Sequence, residues 1–150
     1  KVGSMEISGW SRLEGKNGDG EGTYLLLGED RFWYFAAQAD SWQREVGTSY
    51  ETELEDVYFS HVAEGDFDAD GRFDLVAVDG NEHVVEILHG TKDGLRSQMF
   101  WEIFEQNMHY QGRTGANLEP RQTVTADLNN DGSLDFAFLI HDRILLYLRE

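Results

Sequence analysis

Cysteine is absent from this 150-residue chain, which excludes disulfide scaffolds, thiolate metal centres such as zinc ribbons, and cysteine nucleophiles, and leaves the redox compartment open. Basic residues are scarce. Twelve Lys and Arg stand against 29 Asp and Glu, a formal net charge of −17, and a surface of that sign repels polyphosphates and anionic membranes, so no nucleic acid is expected as a partner. Long apolar runs are missing as well. The longest, Phe32–Ala37, falls far below the roughly 20 residues that span a bilayer as a helix, so no membrane insertion is expected. The first residues carry no apolar stretch of signal-peptide type, and so are silent about export.

Proline is nearly absent, with Pro120 alone, whereas glycine occurs 16 times. The glycines punctuate short runs rich in aromatic and β-branched residues, the pattern of strands joined by tight turns. Strands are predicted at Tyr24–Leu27, Phe32–Ala36, Val57–Ala63, Phe73–Val78, His83–Leu88, Met99–Phe104, Thr123–Ala126, Leu134–Ile140 and Ile144–Leu148. Trp42–Glu55 and Gln98–Gln106 are rich in glutamate and glutamine, which favour helix, so each reads as an outer strand or a short helix. With 40% hydrophobic and 13% aromatic residues, the chain has material for one compact core.

An internal repeat organises these strands. Asp66-Phe-Asp-Ala-Asp-Gly-Arg-Phe-Asp74-Leu-Val-Ala-Val returns 61 residues later as Asp127-Leu-Asn-Asn-Asp-Gly-Ser-Leu-Asp135-Phe-Ala-Phe-Leu. A fainter copy begins near Gly15, with Asn17 and Asp19-Gly20 in the matching places and Thr23 where the last aspartate should stand. Each unit reads as strand, acidic glycine turn, strand, short turn, strand, linker and outer strand. That is a four-stranded antiparallel meander, the content of a β-propeller blade. The chain is therefore expected to be all-β and to hold about two and a half to three blades, a single segment over 1–150 with approximate repeats 5–56, 57–119 and 120–150. The last repeat lacks a fourth strand. Rings hold about 4 to 8 blades, so the chain is read as a fragment of a longer protein, or as a unit that assembles with identical chains, for example two three-unit chains making six blades. An open array, with the Ser4–Gly9 region supplying a missing strand, is the remaining arrangement.

The turn spacing carries the chemistry. Oxygen side chains at positions 1, 3, 5 and 9, with glycine at 6 for the reversal, are what a loop needs to wrap a hard cation. The first set is Asp66, Asp68, Asp70 and Asp74 with the Arg72 carbonyl at position 7; the second is Asp127, Asn129, Asp131 and Asp135 with the Ser133 carbonyl. Crowded carboxylates repel one another until a divalent ion compensates them. Ca2+ at about two sites is expected, since a flexible all-oxygen loop suits it better than Mg2+, and zinc lacks soft or imidazole ligands here. Asn17 and Asp19 form a degenerate third set. An EF-hand would need a glutamate at position 12, where Ala77 and Phe138 stand, and the apolar, β-prone residues after each loop contradict its flanking helices.

These residues resemble the FG-GAP or VCBS repeats of the integrin α-subunit propeller and of many secreted bacterial proteins. The matching stretches are Gly65-Asp-Phe-Asp-Ala-Asp-Gly-Arg-Phe-Asp-Leu-Val76 and Ala126-Asp-Leu-Asn-Asn-Asp-Gly-Ser-Leu-Asp-Phe-Ala137, while the Phe-Gly half of the family name is not evident. The resemblance implies a propeller with each calcium loop between the first and second strands of a blade. It also implies a secreted, periplasmic or cell-surface location and a role in adhesion or in binding a protein or carbohydrate ligand.

No catalytic constellation is visible, and the chain is expected not to be an enzyme. His141-Asp142-Arg143 reads as a hairpin turn, because strand neighbours point to opposite faces. Glu102 and Glu105 read as solvated edge carboxylates rather than a glycosidase pair. The linker Gln106–Glu119, with His109, Tyr110 and Arg113 among its glycines, is the expected binding loop. Trp10, Trp33, Trp42 and Trp101 are expected to serve blade packing rather than a sugar platform. The leading expectation is a calcium-stabilised propeller segment that binds a protein or glycan outside the cytoplasm. The alternatives are a portion of a secreted carbohydrate-active enzyme or a purely structural assembly blade.

Overall fold

The structure, a computed structural model, describes residues 9–13, 23–28, 30–36, 46–103, 118–141 and 143–149. Among them are eleven strands in three sheets and no helix. The first sheet runs β1 (Gly9–Leu13), β2 (Thr23–Leu27), β3 (Arg31–Ala36) and β4 (Val46–Glu51). The second runs β5 (His61–Gly65), β6 (Asp74–Asp79), β7 (Val84–Thr91) and β8 (Gly94–Glu102), and the third β9 (Gln122–Ala126), β10 (Asp135–Leu139) and β11 (Ile144–Tyr147). Within each sheet, every strand pairs antiparallel with the strands next to it in the chain. The sheets are thus meanders, and the fold is an all-β set of propeller blades. Both intact acidic segments fall where a turn between first and second strands must lie, at 66–73 between β5 and β6 and at 127–134 between β9 and β10.

The middle blade is buried on both faces. Successive side chains of a strand point to opposite sides, so β6 serves two cores at once. Leu75 and Ala77 pack with Leu25, Leu27, Phe32 and Phe59. Val76 and Val78 pack with Phe67, Val85, Ile87 and Phe138. No residue of β6 reaches solvent, which explains why its apolar run is unbroken instead of alternating with polar residues. Each such Leu or Val contributes about 1.5–3 kcal/mol by leaving water.

Polar bonds fix the register across the two seams. The hydroxyls of Tyr50 and Thr52, at the end of the first blade, donate to the two oxygens of buried Glu86 on β7 at 2.7 and 2.8 Å. Burial and the Glu86 carboxylate hold the Tyr50 phenol well above its usual range. At the second seam the His61 imidazole lies 2.9 Å from the Thr123 hydroxyl, and Thr125 donates to the Glu64 carbonyl at 2.8 Å.

Several strand boundaries differ from expectation. The strand expected over Val57–Ala63 begins only at His61, because Asp79 Oδ2 captures the Tyr58 N–H at 2.7 Å. Val57 and Phe59 still reach the first core from this lead-in. Phe73 and Leu134 belong to the acidic turns. His83 takes a left-handed backbone, φ +59°, in a turn where Asp79 Oδ1 accepts from Asn81 N and Glu82 N. Both glutamate-rich segments contain outer strands, β4 and β8, so pairing with a neighbour overrides helix propensity. β8 starts at Gly94, earlier than expected, and Phe104 lies outside the described residues. The N-terminal strand is Gly9–Leu13, which completes the first blade against β2, and residues 4–8 lie outside the described residues.

Candidate metal centre

The two acidic turns share one backbone conformation. Position 4 is left-handed in both, at Ala69 (φ +62°) and Asn130 (φ +64°), and so is position 6, at Gly71 (φ +88°) and Gly132 (φ +92°). Glycine adopts this region without cost and asparagine tolerates it. Alanine has no such relief, so the surrounding bonds hold Ala69 there.

The resulting curl points backbone N–H groups at the side chains of positions 1, 3 and 5. Asp66 Oδ2 accepts from Gly71 N at 3.1 Å, Asp68 Oδ1 from Asp70 N at 3.1 Å, and Asp70 Oδ1 from Arg72 N at 2.8 Å. The second turn repeats all three: Asp127 Oδ2 from Gly132 N at 2.9 Å, Asn129 Oδ1 from Asp131 N at 3.0 Å, and Asp131 Oδ1 from Ser133 N at 2.8 Å. Asp66, Asp68 and Asp70 thereby each bring an oxygen within 4.8 Å of the other two. Like charges at that distance repel, and the donor set is all oxygen, so the turn fits a hard divalent cation. Bonding to Ser133 N and Asn129 lowers the Asp131 carboxyl, keeping it a ready oxygen donor.

The position-9 aspartates do something the spacing alone does not reveal. Asp74 is fully buried; its Oδ2 accepts from Phe67 N and its Oδ1 from Gly90 N, both at 2.7 Å. Asp135, equally buried, accepts from Leu128 N and Arg149 N, both at 2.8 Å. Each carboxylate therefore clamps the start of its turn to the far end of the third strand. A carboxylate oxygen has a second lone pair, and Asp74 also lies within 4.8 Å of Asp68 and His89. Arg72 braces the first turn from outside, with Nη2 2.6 Å from Asp70 and Nε donating to the Gly90 carbonyl at 3.0 Å.

His89, near the end of β7, is the residue that motif spacing misses. Its Nε2 meets Asp68 Oδ2, and its Nδ1 lies 4.0 Å from Asp74 Oδ1. Burial works to lower this imidazole, but the bond to Asp68 and the charges of Asp74 and Asp68 raise it on balance. Nothing in the strand Val84–Thr91 signals this role, since the contact exists only once β7 lies beside β6. A cleft of about 490 Å³ opens beside Asp68 and His89, between the second and third blades, walled by Phe67, Trp101, Phe136 and Tyr147.

The remaining sequence candidates are dispersed. Asn17 and Asp19, and His109, Tyr110 and Arg113, lie outside the described residues, as do Glu105, Trp42 and Asp142. His141 Nδ1 lies 3.9 Å from buried Glu119 Oε1. Glu102 is exposed at the end of β8, and Trp101 packs in the second core with its ring 5.5 Å from Tyr147.

Comparison with protein families is positive on these same elements. Residues 66–138 match the FG-GAP-like repeat, a span that starts at Asp66, the first residue of the first acidic turn, and ends inside β10. No curated protein and no solved structure matches the chain.

Proposed function

We propose that this FG-GAP-like repeat chain is a non-catalytic, calcium-stabilised propeller segment that works outside the cytoplasm, where it presents its blade loops to a protein or glycan. The observation that carries this reading is the residue-for-residue repetition of three turn bonds in 66–72 and 127–133. Unliganded turns need no such identity. Asp66, Asp68 and Asp70, with Asp74 and the Arg72 carbonyl, would hold one ion; Asp127, Asn129 and Asp131, with Asp135 and the Ser133 carbonyl, would hold the other. Bound calcium supplies charge compensation and cross-links the turn, in a concentration range of about 10⁻⁴–10⁻³ M for extracellular modules. The protein's own part is preorganisation, because the left-handed positions and the position-9 clamps set the turn before any ion arrives. FG-GAP-type repeats are typical of extracellular proteins, which supports the location. No helix among the described residues is long and apolar enough to cross a membrane.

The test is calorimetric calcium titration of chelator-stripped protein with thermal melting alongside. Saturable binding of about two ions with a raised melting temperature is expected, lost stepwise in Asp70→Ala and Asp131→Ala. Absence of both binding and thermal shift would reduce the loops to acidic turns and remove the functional reading with them.

A further inference from the structure

The turn between β7 and β8 belongs to the middle blade, which has a blade packed on each side. Thr91 closes this turn: its hydroxyl donates to the Gly94 carbonyl at 2.7 Å and accepts from Asp93 N at 3.2 Å. Lys92 and Asp93 are thereby held at the tip, both exposed. A cleft of about 620 Å³ opens here, lined by Arg72, Thr91, Lys92, Asp93, Leu95 and Arg96, a size within the roughly 300–1,000 Å³ of small-ligand sites.

Three of the 12 basic side chains of a protein with net charge −17 meet in this one concavity. Arg31, Arg72 and Arg121 each lie against a carboxylate, at 2.7, 2.6 and 3.1 Å. Lys92 and Arg96 have no hydrogen-bond or ion-pair partner among the described residues, and neither has the Asp93 carboxylate. Two free cations and one free carboxylate thus share the cleft without neutralising one another. Each makes a different demand on a ligand. Lys92 and Arg96 are cationic donors and take an anionic group, the guanidinium matching a carboxylate with two parallel hydrogen bonds. Asp93 can only accept, so it takes hydroxyl or N–H donors and repels a second anion. Leu95, packed against the first core, adds an apolar wall. A carboxylated sugar ring supplies the anion, the hydroxyl donors and an apolar C–H face together, whereas an aspartate or glutamate side chain supplies only the anion. A densely charged polyanion would extend past the cleft onto a surface of its own sign and be repelled over about 8 Å at physiological ionic strength.

We infer that the cleft at the β7–β8 turn binds a glycan whose rings carry carboxylate groups. Arg96 and Lys92 hold the carboxylate, Asp93 accepts from ring hydroxyls, and Leu95 lies against the C–H face. This names a ligand class within the glycan-binding role proposed above and rests on that role, but not on its calcium.

The test is titration of the chain, in calcium, with three probes: trigalacturonate, its methyl ester, which keeps the rings and hydroxyls but removes the charge, and triglutamate. Saturable binding of trigalacturonate is expected, with the ester and the peptide at least about tenfold weaker. Lys92→Ser and Arg96→Ser, both at exposed positions, should each weaken trigalacturonate binding about tenfold with the melting temperature unchanged. Asp93→Ala should weaken it too, although the change removes a like charge. Tighter binding in Asp93→Ala would mean simple ion pairing and overturn the sugar assignment, as would triglutamate binding equally well. No saturable trigalacturonate binding, equal binding of the ester, or indifference to Lys92→Ser and Arg96→Ser overturns the inference as a whole. Trigalacturonate binding to a chain that takes up no calcium would remove the calcium reading and leave the cleft standing, and calcium uptake without trigalacturonate binding would do the reverse.

Discussion

Replacing Asp74 with asparagine separates the two roles a position-9 carboxylate can have. The side chain keeps its shape but loses one acceptor, because an amide presents a carbonyl oxygen on one side and a donor on the other. Asp74 accepts from Phe67 N and Gly90 N at 2.7 Å each, in a site with no solvent. Asparagine can satisfy only one of these N–H groups and sets its own N–H against the other. A hydrogen bond to a charged group contributes about 1.5–3 kcal/mol, and the orphaned backbone donor adds a desolvation penalty, so the loss should be about 3 kcal/mol. For a chain of this size, that corresponds to a fall of roughly 6–12 °C in melting temperature. The decisive condition is excess chelator. A clamp is needed with or without an ion, so the loss should persist there. Asp70→Asn, at a solvent-facing position that bonds only within its own turn, should change chelated stability by less than about 1 kcal/mol. Should Asp74→Asn cost no more than Asp70→Asn under chelation, the clamp reasoning is wrong and the carboxylate matters solely as a ligand.

Four further outcomes follow from the same geometry. Tyr50→Phe leaves Glu86 Oε1 without its donor at the first seam and should cost about 1.5–3 kcal/mol in urea unfolding; a loss below about 0.5 kcal/mol would mean water replaces the hydroxyl. Gly90→Ala would place a Cβ 2.0 Å from the Phe73 carbonyl oxygen, forcing backbone movement and a penalty of about 2 kcal/mol or more, whereas a neutral result would show that the turn is free to shift. Ala69→Asn should stabilise the first turn by about 0.5–1 kcal/mol, since it installs at φ +62° the residue that the second turn uses at φ +64°; thermal melting under chelation reads this, and any destabilisation contradicts it. Burial lowers the His61 imidazole below its ordinary value of 6.5. The unfolded chain therefore takes up the proton first, and this contribution to stability is present above about pH 6.5 and lost as pH falls toward the folded-state value. A melting series across that window should be flatter in His61→Asn than in the parent; equal slopes would exclude His61 as the source.

The sequence by itself determined the local structure of the turns and the oxygen-rich side chains they gather. Aspartate and asparagine at alternate positions around a glycine specify a short reversal with oxygens gathered inside it, and an unbroken apolar run next to it specifies a strand buried on both faces. The turns are short-range consequences of backbone sterics and were legible from the residues alone, and the doubly buried strand holds for β6, whereas Leu139 of β10 remains exposed. In Trp42–Glu55 and Gln98–Gln106 the sequence left outer strand and short helix both open, and the outer strands form because such a strand draws its stability from the neighbour that supplies its hydrogen bonds. Tertiary structure decided the rest. Asp74 looks like one more ligand until β7 brings Gly90 N against it, and His89 has no partner until the same strand lies beside Asp68. Glu86 would read as a surface residue on an amphipathic strand, yet it is buried because the first blade delivers the Tyr50 and Thr52 hydroxyls to it. In each case the partners are many residues apart along the chain, and only the stacking of blades sets which polar groups lose water together and must therefore satisfy one another.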